Sequence, residues 1–269
     1  MKSEKYSSQN HTKLYFVEKY GMKRQYWEEI APNYNDEIFD VLQNDKQHLV
    51  KTAIEKFASP RKTVIDAGCA IGKWLPLLSP LFKQVYALDI SAKNLKIAKK
   101  KNPELNNVEY IRADMSRKNH ELPVCDLGIC INAILTPSVK KRNRFFQSLA
   151  SCIKQRGKLI MTVPSMESFM LTRTIQKQFK IDKKYFPVVT NSKQAIRQLK
   201  DLWWGVADID DVPHKHFLKE EMEIILKQFG FVPEKFQKIE YDWSTEFYKP
   251  PAWLQQPGPW DWMIVAKRV

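Results

Sequence analysis

The stretch VIDAGCAIG, residues 64–72, decides the fold of this chain. It begins as a short apolar run that is typical of a buried β-strand, and this strand ends at Asp66. Gly68, Ala70 and Gly72 follow at alternate positions, ahead of a short predicted helix. Because glycine has no Cβ, such a bend brings the backbone close to a ligand, and the free N–H groups of the next helix favour a carboxylate or a phosphate.

Strands and helices alternate on both sides of this bend. Further strands are predicted at 84–89, 108–114, 125–132 and 158–163, and helices at 36–44, 46–58, 91–101 (with Ser91 as its N-cap) and 138–155. Strands that recur about every 20–30 residues with helices between them predict a parallel α/β sheet with right-handed connections.

The alternation stops after Pro164. Residues 166–213 carry apolar residues at helical spacing, and we expect two helices that cap the carboxyl edge of the sheet. Their aromatic content argues against the alternative, a disordered excursion. A last helix at 217–231 precedes strands at 231–243 and 260–268 with no helix between them, so the last strand should be reversed.

Composition restricts the function classes. The 269 residues are 43% hydrophobic and 28% charged, which supports a core and excludes collagen-like and mostly disordered proteins. Runs of about 18 apolar residues are absent, so no membrane partner is expected, and the polar start and the lack of CxxC spacing favour a reducing cytoplasm. Although the net charge is +14, only 10 of the 44 basic residues are Arg, which favours a solvated lysine-rich surface over a nucleic-acid track.

Each of the first three predicted strands ends at an acidic residue. Asp89 closes the second strand, where a carboxylate accepts hydrogen bonds from both hydroxyls of a ribose. Asp114 closes the third, where its carboxylate accepts from an exocyclic amine while Met115 packs on an adenine face. Turn chemistry alone is the alternative explanation for the glycines, but the three acidic strand ends favour a nucleoside-containing ligand.

The glycine pattern separates two nucleoside-binding classes. A dinucleotide fingerprint needs glycine where this chain has Ala70 and Lys73. Alternate glycines, acidic strand ends and a reversed last strand together resemble the class I S-adenosylmethionine-dependent methyltransferases. The resemblance covers 60–165 by motif and 214–269 by topology, and YWEEIAPNYNDEIF at 26–39 is similar to the aromatic N-terminal segment of the small-molecule branch.

The resemblance implies an α/β fold with a Rossmann-like, seven-stranded, mainly parallel sheet, a reversed C-terminal strand and a helical cap insertion. Residues 1–59 would be an N-terminal helical segment over the cofactor site. Residues 60–165 and 214–269 would form the cofactor-binding domain, and 166–213 the helical cap.

The resemblance also implies S-adenosylmethionine as the cofactor. The implied cofactor-binding residues are Asp66, Gly68, Gly72, Asp89, Ile90, Asp114, Met115, Asn132, Tyr26 and Tyr34, with Ala133 beside Asn132 near the transferred methyl. One position departs from the family, because Ala70 stands where the middle glycine is usual. Alanine at this position leaves two alternatives open: the protein binds the cofactor with lower affinity, or it has no catalytic activity.

Acid–base and substrate residues have weaker signals. His216 and Tyr34 are candidates for a catalytic acid or base, since His titrates near neutral pH, although a His at a helix entry is often ordinary. Trp203, Trp204 and His216 are the expected substrate-pocket residues. The His-x-His pair at 214 and 216 has no further ligand at metal-site spacing, so no metal is expected.

Three functions remain open from sequence alone. The first is methyl transfer to a small molecule bound beneath the cap. The second is an RNA or protein methyltransferase, motivated by the net charge and by the basic residues Arg173, Lys177, Lys180, Lys183 and Lys184. Methylation of flipped DNA bases is disfavoured, because Asn132 is followed by Ala-Ile-Leu and not by a Pro-Pro-aromatic motif. The third is a non-catalytic protein that uses the fold as a binding scaffold; the oligomeric state stays open.

Overall fold

The structure, a computed structural model, describes residues 24–34, 38–117, 121–181, 192–209 and 212–269. Its strands are β1 Ser59–Ala67, β2 Phe82–Asp89, β3 Val108–Arg112, β4 Cys125–Ile131, β5 Ile153–Pro164, β6 Val206–Ile209, β7 Val212–Lys215, β8 Phe231–Glu240 and β9 Trp260–Arg268. Its α-helices are α1 Arg24–Ile30, α2 Val41–Asn44, α3 Leu49–Phe57, α4 Leu75–Leu78, α5 Ala92–Lys101, α6 Val139–Cys152, α7 Met166–Gln178, α8 Ser192–Trp203 and α9 Lys219–Gln228.

Seven strands form one sheet in the order β3-β2-β1-β4-β5-β9-β8. The pairs among β1 to β5 are parallel, whereas β9 is antiparallel to both of its neighbours, β5 and β8. The predicted seven-stranded, mainly parallel sheet with a reversed last strand is therefore confirmed. Parallel strands end at a common edge, so the residues that follow β1, β2, β3 and β4 meet there.

The sheet is covered on both faces, which explains why its strands are apolar on both sides. Val64 and Ile65 are adjacent in β1 and fully buried, and they enter two different apolar clusters. Helices α3, α4 and α5 pack in the cluster of Val64, whereas α6 and α9 pack in the cluster of Ile65. Each large aliphatic side chain buried in this way contributes about 1.5–3 kcal/mol to folding.

Two predicted helix boundaries follow the expected chemistry. The Ser91 hydroxyl accepts a hydrogen bond of 3.1 Å from the N–H of Asn94, so it caps α5 as predicted. Gly230, with φ of +76°, follows the end of α9, where a left-handed residue commonly ends a helix.

Four predicted helices are shorter in the structure than in the sequence interpretation, and the one expected at 217–231 spans only Lys219–Gln228. The helix expected at 138–155 ends at Cys152, because Ile153 already pairs with Cys125 as the first residue of β5. Of the helix expected at 36–44, residues 35–37 lie outside the described residues and α2 begins only at Val41, where Asp40 caps it. The helix expected at 46–58 begins at Leu49.

Both helices expected in residues 166–213 are present, as α7 and α8. The antiparallel β6–β7 hairpin was not predicted, since its strands have only four residues each. Val206 pairs with Lys215 across this hairpin, which therefore crosses the expected boundary between 213 and 214. Within the described residues, no helix has the length and apolarity to cross a membrane.

Candidate functional site

The chain turns sharply after β1, and the turn requires glycine at position 68. Gly68 has φ of +87°, and its N–H donates to the carbonyl of Leu88 at 2.7 Å. The N–H of Cys69 donates to the same carbonyl at 2.9 Å, so the turn is fastened to the end of β2. A Cβ at position 68 would lie 2.5 Å from the Cβ of Ala133, which follows β4.

Asp89 joins this turn to the start of α5. Its Oδ2 accepts from the N–H of Ala70 at 3.0 Å, and its Oδ1 accepts from the N–H of Ser91 at 2.8 Å and from Asn94 Nδ2 at 3.3 Å. The side chain is 7% exposed, and burial raises its pKa above the usual value. The structure thus brings the glycine turn and the carboxylate at the end of β2 into direct contact.

Ala70 stands where the family pattern has glycine, and its substitution tests whether this departure lowers the free energy of unfolding. It has φ of +48°, in the left-handed region, where an L-residue costs about 1–2 kcal/mol relative to glycine. We expect Ala70→Gly to raise the free energy of unfolding by about 0.5–1 kcal/mol, since added unfolded-state entropy offsets part of the relief. Urea denaturation measures this change, and an unchanged or lower midpoint would show that Ala70 is unstrained.

Asp66 is a buried carboxyl group with an unsatisfied oxygen. It is 1% exposed, and its Oδ2 has no hydrogen-bond partner among the described residues. Burial, with a smaller contribution from the Asp89 charge, raises the pKa of Asp66 to about 8. A buried polar atom without a partner is costly, and it marks a place where a ligand group would restore the missing hydrogen bond.

A cavity of about 870 Å³ lies at the carboxyl edge of the sheet. This volume is within the usual range for small-molecule sites. Residues that the sequence assigned to cofactor binding and that line it are Gly68, Asp89, Ile90, Asp114, Met115 and Asn132. Tyr34 also lines it. Four strand ends therefore meet at one concave surface.

Three other predicted cofactor residues do not line the cavity. Asp66 is buried near the end of β1, and a Cβ at Gly72 would meet the side chains of Leu75 and Ala98. Tyr26 is buried and packs edge to face against Trp27, with ring centroids 5.1 Å apart. Trp27, its neighbour in sequence, lines the cavity instead. The aromatic pair at 26–27 was visible in the sequence, but the helix phase that selects Trp27 was not.

Helix α1 is attached over the cavity by Glu28, a residue that the sequence interpretation missed. Its carboxylate accepts from the N–H groups of Ala92 and Lys93 and from the Ser91 hydroxyl, each at 3.0 Å. Partial burial raises its pKa, but the hydrogen bonds from Lys93 and Ala92 outweigh this effect and leave the pKa below the usual value. Glu28 therefore acts as an anion at the N-terminus of α5.

We expect Glu28→Ala to lower the free energy of unfolding by about 1 kcal/mol, the usual value of a helix cap. Because the pKa is lowered, this contribution is present above the ordinary glutamate pKa and is lost as the pH falls through the lowered value. Denaturation at neutral and acidic pH measures it. Glu29→Ala is the matched control, since Glu29 is exposed on the same helix, and an equal loss in both variants would contradict the capping role.

Asn132 is held at the end of β4 by a buried network. It has φ of +48°; its Nδ2 donates to Asp261 Oδ2 at 2.7 Å, and its Oδ1 accepts from the Thr162 hydroxyl at 2.9 Å. The Tyr241 hydroxyl donates to the same oxygen of Asp261 at 3.0 Å. Burial raises the pKa of Asp261. Asp261 is a further residue that sequence reasoning missed, because it comes from the reversed strand β9.

The predicted substrate-pocket residues are not at the cavity. Trp203 and Trp204 are 75% and 67% exposed at the end of α8, and neither lines the cavity. His216 is buried, with its ring 5.1 Å from that of Phe169, and it does not line the cavity either. The two tryptophans were assigned to the pocket because Trp commonly lines apolar pockets, and this residue preference does not say which surface they contact.

Neither acid–base candidate has the properties of a general base at neutral pH. Burial lowers the pKa of His216 to about 4, so the ring is neutral. Burial raises the pKa of Tyr34, with a further contribution from the Asp89 charge, so its hydroxyl stays protonated at neutral pH. Among the described residues, no group of three His, Cys, Asp or Glu side chains is placed to hold a metal ion.

Comparison with known proteins gives the family context. A family model for a methyltransferase domain matches residues 64–157. A solved S-adenosylmethionine-dependent methyltransferase from Methanosarcina mazei is 17% identical with a TM-score of 0.56, and the match covers 81% of this chain and 97% of that chain. A search of curated proteins finds no match.

Two structures determined with S-adenosylhomocysteine, the demethylated cofactor, have the same fold. Magnesium protoporphyrin IX methyltransferase from Synechocystis PCC 6803 is 18% identical with a TM-score of 0.58, and the match covers 91% of this chain and 98% of that chain. An N-methyltransferase from Bradyrhizobium japonicum is 10% identical with a TM-score of 0.57, and the match covers 91% and 97%.

These matches confirm the resemblance identified from the glycine turn and the acidic strand ends. The cofactor predicted from the sequence, S-adenosylmethionine, is the cofactor of this family. Residues 64–157 match the family model of a methyltransferase domain, and the chain has the fold of the class I S-adenosylmethionine-dependent methyltransferases.

Proposed function

We propose that this protein transfers a methyl group from S-adenosylmethionine to a small-molecule acceptor. The observation that carries the proposal is the contact between Asp89 and the glycine turn, at the edge of a cavity of about 870 Å³. A turn that only connects a strand to a helix does not need a buried carboxylate hydrogen-bonded to its backbone beside an open cavity. The ribose hydroxyls of a bound ligand would donate hydrogen bonds to that carboxylate.

The residues present fit the cofactor. Gly68 lets the turn pack against Ala133 at the cavity wall, and Asp66, two residues before it, has a buried carboxyl oxygen without a partner that would serve the amino acid part of the cofactor. Asp89 and Ile90 would hold the ribose and adenine, and Asp114 and Met115 the adenine amine and ring. When bound, S-adenosylmethionine supplies an electrophilic methyl group on a positively charged sulfur.

The chain's own residues would position the acceptor and exclude water. Asn132 lines the cavity and is immobilised by its bonds to Asp261 and Thr162, so its backbone offers a fixed contact at the end of β4. Trp27 and Tyr34 place aromatic rings over the same cavity. His216 is buried away from the cavity and Tyr34 stays protonated, so we assign the role of general base to neither residue. The acceptor atom must therefore be nucleophilic without the help of a general base.

A small-molecule acceptor is favoured over a macromolecule because the site is a concave cavity whose wall includes residues of α1. The proposal includes the expectation that residues 166–213 cap the carboxyl edge of the sheet. Of the basic residues that motivated an RNA partner, Lys183 and Lys184 lie outside the described residues, and Arg173 donates to Gln176 at 2.9 Å on its own helix. All four cysteines are buried and unpaired, which supports the cytoplasmic location that the sequence favours.

Calorimetric titration with S-adenosylhomocysteine tests the proposal. We expect saturable binding at one site per chain, followed by methyl transfer to members of a panel of small nucleophiles when S-adenosylmethionine is supplied. Absence of binding would overturn the proposal. Binding without turnover across a broad panel would favour the alternative of a non-catalytic binding protein.

Cofactor binding should depend on pH through Asp66. Its pKa is raised to about 8, so the free protein holds a proton there at pH 7; the associated folding stability is fully present below the ordinary aspartate pKa and is lost as the pH rises through about 8. A cationic ammonium on the ligand favours the carboxylate, so binding releases the proton. We expect affinity for S-adenosylhomocysteine to rise by up to about tenfold per pH unit between pH 6 and 7.5.

Titrations in buffers with different ionisation enthalpies measure this proton release directly. Asp66→Asn is the matched control, because it keeps the shape of the side chain and removes its titration. The expected result is a pH-independent affinity in that variant. Equal pH dependence in both proteins would show that another group releases the proton.

A further inference from the structure

We propose that the methyl acceptor is an anion, carrying a phosphate or carboxylate group that binds Arg112, Lys141 and Arg144 at one side of the cavity. This inference rests on the proposed function, since it names the substrate class of the same site. Its first support is the composition of the cavity wall. Within the part of the chain that the structure describes, the five basic residues that line the cavity are Arg24, Arg112, Arg117, Lys141 and Arg144.

Arginine is concentrated at this wall. Four of the five basic wall residues are Arg, although the whole chain has 10 Arg among its 44 basic residues. Lysine accounts for most of the solvated surface charge elsewhere. Arginine differs from lysine in offering a planar, permanently charged fork that matches the oxygens of phosphate and carboxylate. The enrichment therefore indicates recognition of an anion and not general solubility.

Most of this positive charge is not neutralised within the described part of the chain. Arg117 forms an ion pair with Asp114, with Nε 3.2 Å from Oδ2. None of the other four lies within 4 Å of a carboxylate oxygen in the described residues, although Arg112 is near enough to Glu28 to lower the pKa of that carboxyl. Unpaired cations that share a concave wall repel each other, and an anion between them relieves that repulsion.

The cofactor does not account for these cations. S-adenosylmethionine carries a sulfonium, an ammonium and one carboxylate, so its net charge is positive and acidic residues serve it. If Arg24 is assigned to that single carboxylate, Lys141 and Arg144 are still without a described carboxylate, and Arg112 shares only the charge of Glu28, which already caps α5. Their positive charge would disfavour a cationic acceptor and favour a negatively charged one.

The three residues come from two elements that converge on the cavity. Arg112 is the last residue of β3, and Lys141 and Arg144 lie three residues apart near the start of α6, so they share one face of the helix. Phe145 and Thr136 line the cavity beside them. Three cations in the wall of one cavity, with an apolar neighbour, suit a small anion that has an apolar body, whereas an RNA strand needs an extended basic track.

The test uses the full chain saturated with S-adenosylhomocysteine and titrated calorimetrically with pyrophosphate or with citrate. We expect at least one of the two anions to bind, and the double variant Lys141→Ala/Arg144→Ala to weaken that binding at least tenfold. Affinity for S-adenosylhomocysteine should change less than twofold in this variant, which also shows that it is folded. Binding of pyrophosphate alone identifies a phosphate group, and binding of citrate alone a carboxylate.

Lys99→Ala/Lys140→Ala is the matched control. It removes the same charge from exposed positions that do not line the cavity, and anion binding should change less than twofold. Anion binding that is absent in the wild type, or equal in both double variants, would overturn the inference while leaving the proposed function intact. Tighter binding of a single-stranded RNA dodecamer than of either anion would also overturn it. Failure of S-adenosylhomocysteine to bind would overturn the proposed function itself.

Discussion

Gly68→Ala is expected to lose S-adenosylhomocysteine binding by at least about 100-fold while the protein stays folded. The new Cβ would lie 2.5 Å from the Cβ of Ala133, a separation that real Cβ atoms do not adopt. Alanine also adopts a φ of +87° only at a cost of about 1–2 kcal/mol. The turn must therefore move away from the end of β4, and the bonds from 68 and 69 to the Leu88 carbonyl must lengthen.

The affinity measurement needs a control for general destabilisation. Gly230→Ala introduces an alanine at a similar φ of +76°, but the nearest atoms are those of the flexible Arg268 side chain. Gly230 does not line the cavity. We expect both variants to unfold more easily and only Gly68→Ala to lose the ligand. Wild-type affinity in Gly68→Ala would remove the main support for a ligand at this turn.

The part of the site that was predictable from sequence consists of local patterns at strand ends. Asp89 and Asp114 each follow an apolar run, and Gly68 follows another. In a parallel sheet such positions share one edge, whatever the order of the strands. The direct bond between Asp89 and Ala70 then follows from the pairing of β1 with β2.

The part that was not predictable depends on strand order and on helix phase. Asp261 reaches Asn132, which is 129 residues earlier in the chain, because β9 inserts beside β5. No local pattern in the sequence records that insertion. Trp203 was assigned to the pocket because aromatic residues often line pockets, yet the end of α8 leaves it exposed. The spacing of apolar residues predicts which side chains share one face of a helix. The tertiary contacts of the fold decide whether that face packs against the core, lines a cavity or stays exposed.

Asp89→Asn is the second change with a large expected effect. Both carboxylate oxygens accept from donors, Oδ2 from Ala70 and Oδ1 from Ser91 and Asn94. Asparagine replaces one acceptor with an NH₂ group, so a donor would face a donor in a buried site. This costs about 1–3 kcal/mol of unfolding free energy. We also expect at least about 100-fold weaker S-adenosylhomocysteine binding, because the charged acceptor for the ribose hydroxyls is lost.

The control variant Asp126→Asn separates the loss of unfolding free energy from the loss of ligand affinity. Asp126 lies in β4, and its carboxylate accepts from the N–H and hydroxyl of Thr63 and from Lys154, at 2.9–3.1 Å. It does not line the cavity, so we expect a comparable loss of stability with an affinity within about twofold of wild type. Calorimetric titrations and urea denaturation of both variants decide the matter. If affinity falls equally in the two variants, the loss reflects weakened folding, and Asp89 has no direct role in holding the ligand.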